Sequence, residues 1–224
     1  MRPVSAIALA GALTIGSLLV GGVAGAAPSE QGFEIGFRTG VMFPVGDAAS
    51  GAKLSDGFGV QFPFWVDLGY RFGNVVVGAY GQWAAGLTGS TIDCGDASCS
   101  ASAWRAGMEV QIHPAGRQGT VDPWFSLGFG YEWDTLHASA SSGAGEVSGS
   151  ATLHGWDIGR IGLGVDFPLT PWLRIGPFLH ATVSEFTVGS LSISNNQLLT
   201  GSRPIDQKAV HSWITLGVKL TALP

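Results

Sequence analysis

The sequence predicts an all-β chain: an eight-stranded antiparallel up-and-down barrel that crosses a membrane, preceded by a signal peptide. Three observations predict it. Apolar residues alternate with polar or small ones in eight segments of about ten residues each. The connections between those segments alternate short and long. Charged residues make up only 12% of the chain, against about 25% in a soluble domain.

The N-terminus is read separately. Met1 and Arg2 are followed by an uncharged run from Val4 to Val20 and a small-x-small site, Ala24-Gly25-Ala26. That is the layout of a secretory leader, so residues 1–26 are expected to be removed and residues 27–224 to form the barrel domain. No Cys follows the site, so a lipoprotein anchor is not expected.

The strands follow in order. In the first, Phe33, Ile35, Phe37, Val41 and Phe43 alternate with Glu34, Gly36, Arg38 and Gly40. A period of two means one apolar face and one polar or small face. In the second, Phe62, Phe64, Val66, Leu68 and Tyr70 alternate with Gln61, Asp67, Gly69 and Arg71. The third runs from Val75 to about Leu87. The fourth sets Trp104, Met108 and Val110 against Arg105, Glu109 and Gln111. The fifth sets Phe125, Leu127, Phe129 and Tyr131 against Gly128, Gly130, Glu132 and Asp134. The sixth sets Ile161, Leu163, Val165 and Phe167 against Gly162, Gly164 and Asp166. Its start, Trp156 and Ile158, is out of phase, which predicts a bulge near Gly159-Arg160. The seventh sets Ile175, Leu179 and Val183 against Arg174, His180 and Ser184. The eighth sets Ile214, Leu216 and Val218 against His211, Thr215 and Lys219.

Segments of this length suit a membrane-spanning β-strand, which needs about 9–11 residues. The short connections are Phe72-Gly73-Asn74, 113–122 and 168–171; the long, Ser/Gly-rich ones are 44–58, 86–102, 137–153 and 187–208. Short turns on one side and long loops on the other are the pattern of outer-membrane barrels. Trp83, Trp104, Trp133 and Trp156 fall near the outer strand ends, and Phe72, Phe125, Phe167 and Trp172 near the inner ends, as two aromatic belts would. Trp65 and Trp213 have inward phase, so they either fill the lumen or mark a further bulge. No helix is expected after the leader.

The PWFSLGFGYEW run at 123–133 and the GRIGLGVDFPLTP run at 159–171 resemble the strands of the small OmpA/OmpX-like outer-membrane barrels. The resemblance extends over about residues 32–222. It implies a location in the outer membrane of a Gram-negative-type bacterium and lipid as the immediate surroundings.

Phase assigns the strand charges to the inside. Glu34, Arg38, Asp67 and Arg71 should point inward, with Arg105, Glu109 and Glu132, then Asp166, Arg174 and Lys219, and the imidazoles of His113, His180 and His211. A charge facing mid-bilayer costs roughly 2–4 kcal/mol, whereas opposite charges inside satisfy one another. An eight-stranded bore is just wide enough for side chains to fill it. The expected function is therefore a structural or surface-interacting barrel with a plugged polar lumen. The alternative is a narrow channel or small-ligand transporter. A soluble exported ligand-binding barrel and a lipid-modifying enzyme rank below these.

Cys94 and Cys99, close together in an exported polar loop, are expected to form a disulfide. Catalysis is not expected. His180 and Ser184 lie about 13 Å apart along a strand, too far for a nucleophile and its base, and His211 and Ser212 point to opposite faces. Gly159-x-x-Gly162-x-Gly164 opens no helix, so it cradles no phosphate. His137, Glu146, His154 and Asp157, in or beside the third outer loop, repeat no metal-ligand spacing. No cofactor or metal is expected. The formal net charge of −5 becomes −6 once Arg2 leaves with the leader, and that excludes a nucleic-acid partner. A monomer is expected, with any extracellular partner meeting the long loops.

Overall fold

A computed structural model describes residues 31–95, 97–116, 120–142, 145–194 and 200–223. The expected leader lies outside them. Ten strands and one short helix follow in chain order: β1 (Gln31–Ala49), β2 (Ala52–Lys53), α1 (Leu54–Gly57), β3 (Phe58–Phe72), β4 (Val75–Thr88), β5 (Ser98–Ile112), β6 (Asp122–Ser142), β7 (Gly145–Thr170), β8 (Leu173–Ile193), β9 (Gly201–Pro204) and β10 (Val210–Ala222).

Eight of these strands close a ring. Each long strand pairs antiparallel with its neighbour in sequence, and β10 pairs with both β8 and β1. Closure leaves the ring no free edge, as a sheet in lipid requires, because nothing there can satisfy an open backbone. On the inner side, β3 and β4 are joined by the tight turn Gly73-Asn74, where Gly73 has φ +64°. A side chain with a Cβ rarely adopts that conformation.

The faces separate as the period-two pattern predicts. Phe33, Phe37, Leu68, Leu127, Ile161 and Leu216 are exposed on the outside, while Arg38, Arg105, Glu132 and Lys219 are buried inside. From Ile112 to Trp104 the outer face of β5 spans eight residue steps. That is about 26 Å of strand, or roughly 20 Å of height at the usual barrel tilt, close to the apolar band of such barrels. The belts bound it: Trp83, Trp104 and Trp133 stand side by side across β4, β5 and β6. Among the described residues no helix is long and apolar enough to cross a membrane; the strands do so.

Three features differ from expectation. The outer connections are shorter than expected, because the strands continue through them. β6 and β7 stay paired as far as Ser142↔Gly145, so most of 137–153 is hairpin rather than loop. Both faces of this extension are wet, so its Ser/Gly/Ala sequence carries no alternation to read. Second, the first outer connection contains α1, too short for any helical period to show. Third, the break in β7 begins a little before the expected place: pairing shifts between Asp157 and Gly159 on one side, and opposite Gly128 and Gly130 on the other. A bulge there returns both Asp157 and Arg160 to the inside. Trp65 and Trp213 are lumen fillers, 2% and 0% exposed.

Candidate functional site

The lumen is where most of the chemistry-bearing side chains converge. Among the described residues, eight buried carboxylates meet six buried cations there. Every carboxylate has a partner, which is what makes such a core tolerable in a low dielectric.

In the lower lumen, Arg71 pairs with Glu34. Asp122 receives Arg174 at 3.3 Å and lies 3.0 Å from His113 Nδ1. Lys219 donates to Gln111 at 2.8 Å and lies 3.5 Å from Asp166, which also accepts the Trp124 indole N–H at 3.0 Å. A cavity of about 20 Å³ lies between Glu34, Asp67, Glu109 and Lys219, room for about one water.

At mid-height, Arg38 Nε donates to Asp67 at 2.7 Å and its other arm reaches Glu109. Its guanidinium lies 5.1 Å from the Trp65 ring centre and 5.3 Å from that of Trp124. Arg160 donates to Asp157 at 2.7 Å and sits 4.0 Å over Tyr80. Residues three apart in a regular strand face opposite ways, so this pair exists because of the bulge. Gly162 and Gly164 leave room for Trp124: a Cβ on Gly164 would sit 2.6 Å from its ring. These glycines make space for packing.

Higher up, Arg105 Nε donates to Glu132 at 3.2 Å and its Nη2 to Asp134 at 2.9 Å. His211 also reaches Glu132. Above this layer the lining becomes apolar. Met42, Leu54, Phe58, Phe186 and Trp213 pack with Ala84, Ala101 and Ala103 into a cluster across the mouth. α1 brings Leu54 into it, fully buried. The second outer connection holds α1 down: Gly89 N–H donates to Gly57 O at 2.8 Å and Thr91 Oγ1 to Asp56 O at 2.8 Å.

Glu34, Arg38, Asp67, Arg71, Arg105 and Glu109 all lie in this buried lumen, as do Glu132, Asp166, Arg174, His180, His211 and Lys219. His180 stands apart from the ion pairs, edge-on to Trp65 at 4.9 Å, and Ser184 donates to Asp157 rather than to an imidazole. The lumen also holds Asp122, Asp134, Asp157 and Arg160, which the expected network leaves out. Asp157 is not beside a solvated loop; the bulge buries it. Of its supposed companions, His154 meets the Tyr131 hydroxyl and His137 is exposed, while the side chain of Glu146 lies outside the described residues. Cys94 and Cys99 form the expected disulfide.

No protein-family model and no curated protein matches the chain. Solved structures do. A major outer membrane protein from Thermus thermophilus superposes with a TM-score of 0.53 at 11% identity, covering 87% of this chain and 99% of that one. The fold is that of a small outer-membrane β-barrel. Neisserial surface protein A is a further match, with a TM-score of 0.44 at 14% identity over 86% of this chain and 98% of its own. At 11% identity the likeness to the Thermus thermophilus protein is one of fold. The exposed apolar band and the inward charges independently require a bilayer around this outer-membrane barrel.

Proposed function

We propose that this outer-membrane barrel is a closed, non-catalytic scaffold, monomeric in the bilayer, that carries a contact surface outside the cell. The observation that carries the reading is the sealed mouth. Above a lumen filled by ion pairs, Leu54, Phe58, Phe186 and Trp213 form an apolar lid tied to the second outer connection. An ion crossing this layer would lose hydration against mostly apolar side chains, with few polar groups to replace it. What stays accessible is the outer extension of β5, β6, β7 and β8, and function on rigid scaffolds tends to sit on such outer segments.

Planar-bilayer recording of the purified protein tests this. The expected result is no steady porin-scale conductance; a stable large conductance overturns the reading. A narrow channel is the second reading. It is favoured by the cavity near Lys219 and by buried groups without a protein partner, such as both ring nitrogens of His180 and Arg160 Nε, since groups of this kind call for water. Phe186→Ala with Leu54→Ala separates the two. In a closed scaffold, ion leak rises only in the variant; in a channel, the wild type already conducts.

A further inference from the structure

Above the aromatic belt, the lipid-facing side of β5–β8 changes character within two residues. Trp104, Trp133 and His154 are aligned across β5, β6 and β7. The next row outward on the same face is Ser102–Thr135–Thr152–Ser190, with Ser202 of β9 continuing it. The row after that is Ser100–His137–Ser150–Ser192. Beyond it stand Ser98, Ser139 and Ser148, with Ser194 bonded to Ser148 at 2.8 Å. Pairing is continuous from the tryptophans to these rows on β5 and β6, so they share one face. No charged residue stands in any of the three rows. The two outer rows line a trough of about 400 Å³, within the range of small-ligand sites.

We propose that this trough binds the uncharged sugar headgroup of a glycolipid in the outer leaflet. Hydroxyls both donate and accept, as sugar hydroxyls do, so a two-dimensional array of them matches a sugar face without demanding a charge. A phosphate would meet no Lys or Arg there, and an ammonium no carboxylate. The leaflet is the source because the rows continue the face that already meets lipid. They begin about 7 Å along the strand above the tryptophans, where headgroups start. Tyr131 and Trp156, 5.0 Å apart edge to face, stand below as apolar platforms for the glycerol and the first sugar. The inference rests on the outer extension being the contact surface, but not on the lumen being closed.

Native mass spectrometry of the full barrel released from nanodiscs tests it, with digalactosyl diacylglycerol and phosphatidylglycerol as competing lipids. Wild type is expected to retain the digalactosyl lipid preferentially. Ser100→Ala/Ser150→Ala/Ser192→Ala removes three hydroxyls that line the trough and should lower that preference about tenfold, the effect of losing three modest hydrogen bonds. Unchanged heat-modifiable gel mobility would show that the variant is folded, and Ser150→Leu, a single change that removes a trough hydroxyl without adding charge, should act in the same direction. Equal retention of the two lipids by wild type, or an unchanged preference in both variants, overturns the proposal. Free digalactose competing as well as the lipid overturns the leaflet as the source. Conductance recorded on the same preparations reports on the closed lumen separately.

Discussion

Replacing Arg38 by Met tests whether the lumen is held by paired charges. The Arg38 side chain has no solvent exposure, and it is bonded to both Asp67 and Glu109. Met fills similar volume but returns no donor. Asp67 loses its ion-pair partner, Glu109 keeps Gln111 as a donor at 2.8 Å, and the rings of Trp65 and Trp124 each lose one of their cations. Removing one partner of a buried pair costs about 3–5 kcal/mol, most of it from the stranded charge. With a urea slope of about 2 kcal/mol/M, the midpoint should fall by roughly 2 M. Folding in phospholipid vesicles, read by heat-modifiable gel mobility across a urea series, measures the shift. The triple variant Arg38→Met/Asp67→Asn/Glu109→Gln should recover at least half of the loss, because no uncompensated charge remains. A shift below about 0.5 M for Arg38→Met, or a triple variant no more stable than the single, would refute the view that paired charge holds this layer together.

Other perturbations read different parts of the barrel. Leu127→Arg puts a charge on the 60% exposed lipid face, and should cost about 2–4 kcal/mol in the same vesicle assay. Gly164→Ala drives a methyl to within 2.6 Å of the Trp124 ring and 2.8 Å of Pro177 O. Overpacking of this kind costs about 1–3 kcal/mol, whereas Gly81→Ala, with nothing within 4 Å, should be neutral as its control. Cys94→Ser/Cys99→Ser opens a loop with a sequence separation of only five. The loss should stay at or below about 2 kcal/mol, with the gel shift of the folded barrel intact.

The membrane-spanning part was legible because two solvents act on it. Each strand there has lipid on one side and a packed polar lumen on the other, so every residue is sorted and the sorting repeats with the pleat. That sorting also made the inward phase of Trp65 and Trp213 meaningful. In β3 and β10 the ladder runs past both tryptophans without slipping, so a large ring with inward phase simply occupies the bore. Where one residue is inserted, the rule misassigns residues. Asp157 belongs by sequence position to an outer loop and Arg160 to the presumed bulge, yet their side chains meet in the lumen. A one-residue slip moves side chains to the other face; the phase break at Trp156 and Ile158 announces the slip near Gly159-Arg160, but not that Asp157 and Arg160 meet across it.

The outer mouth shows why the remainder was hidden. Leu54 and Phe58 flank a polar Ser-Asp-Gly stretch, so each looks like an isolated loop hydrophobe. Their burial depends on Ala84, Ala101 and Ala103, small residues on distant strands that leave room beneath α1. No period links these positions, because they are brought together by ring closure rather than by one strand. The same holds for the serine rows. Each strand of the extension reads as low-complexity Ser, Gly and Ala, since water wets both its faces and selects no alternation. Only the cross-strand register places Ser100, His137, Ser150 and Ser192 side by side. Contacts within one strand can be read from the chain, whereas a surface assembled from four strands requires the pairing to be known. For this barrel, that surface is the one proposed to face outside the cell, and so it is where the proposed role has to be tested.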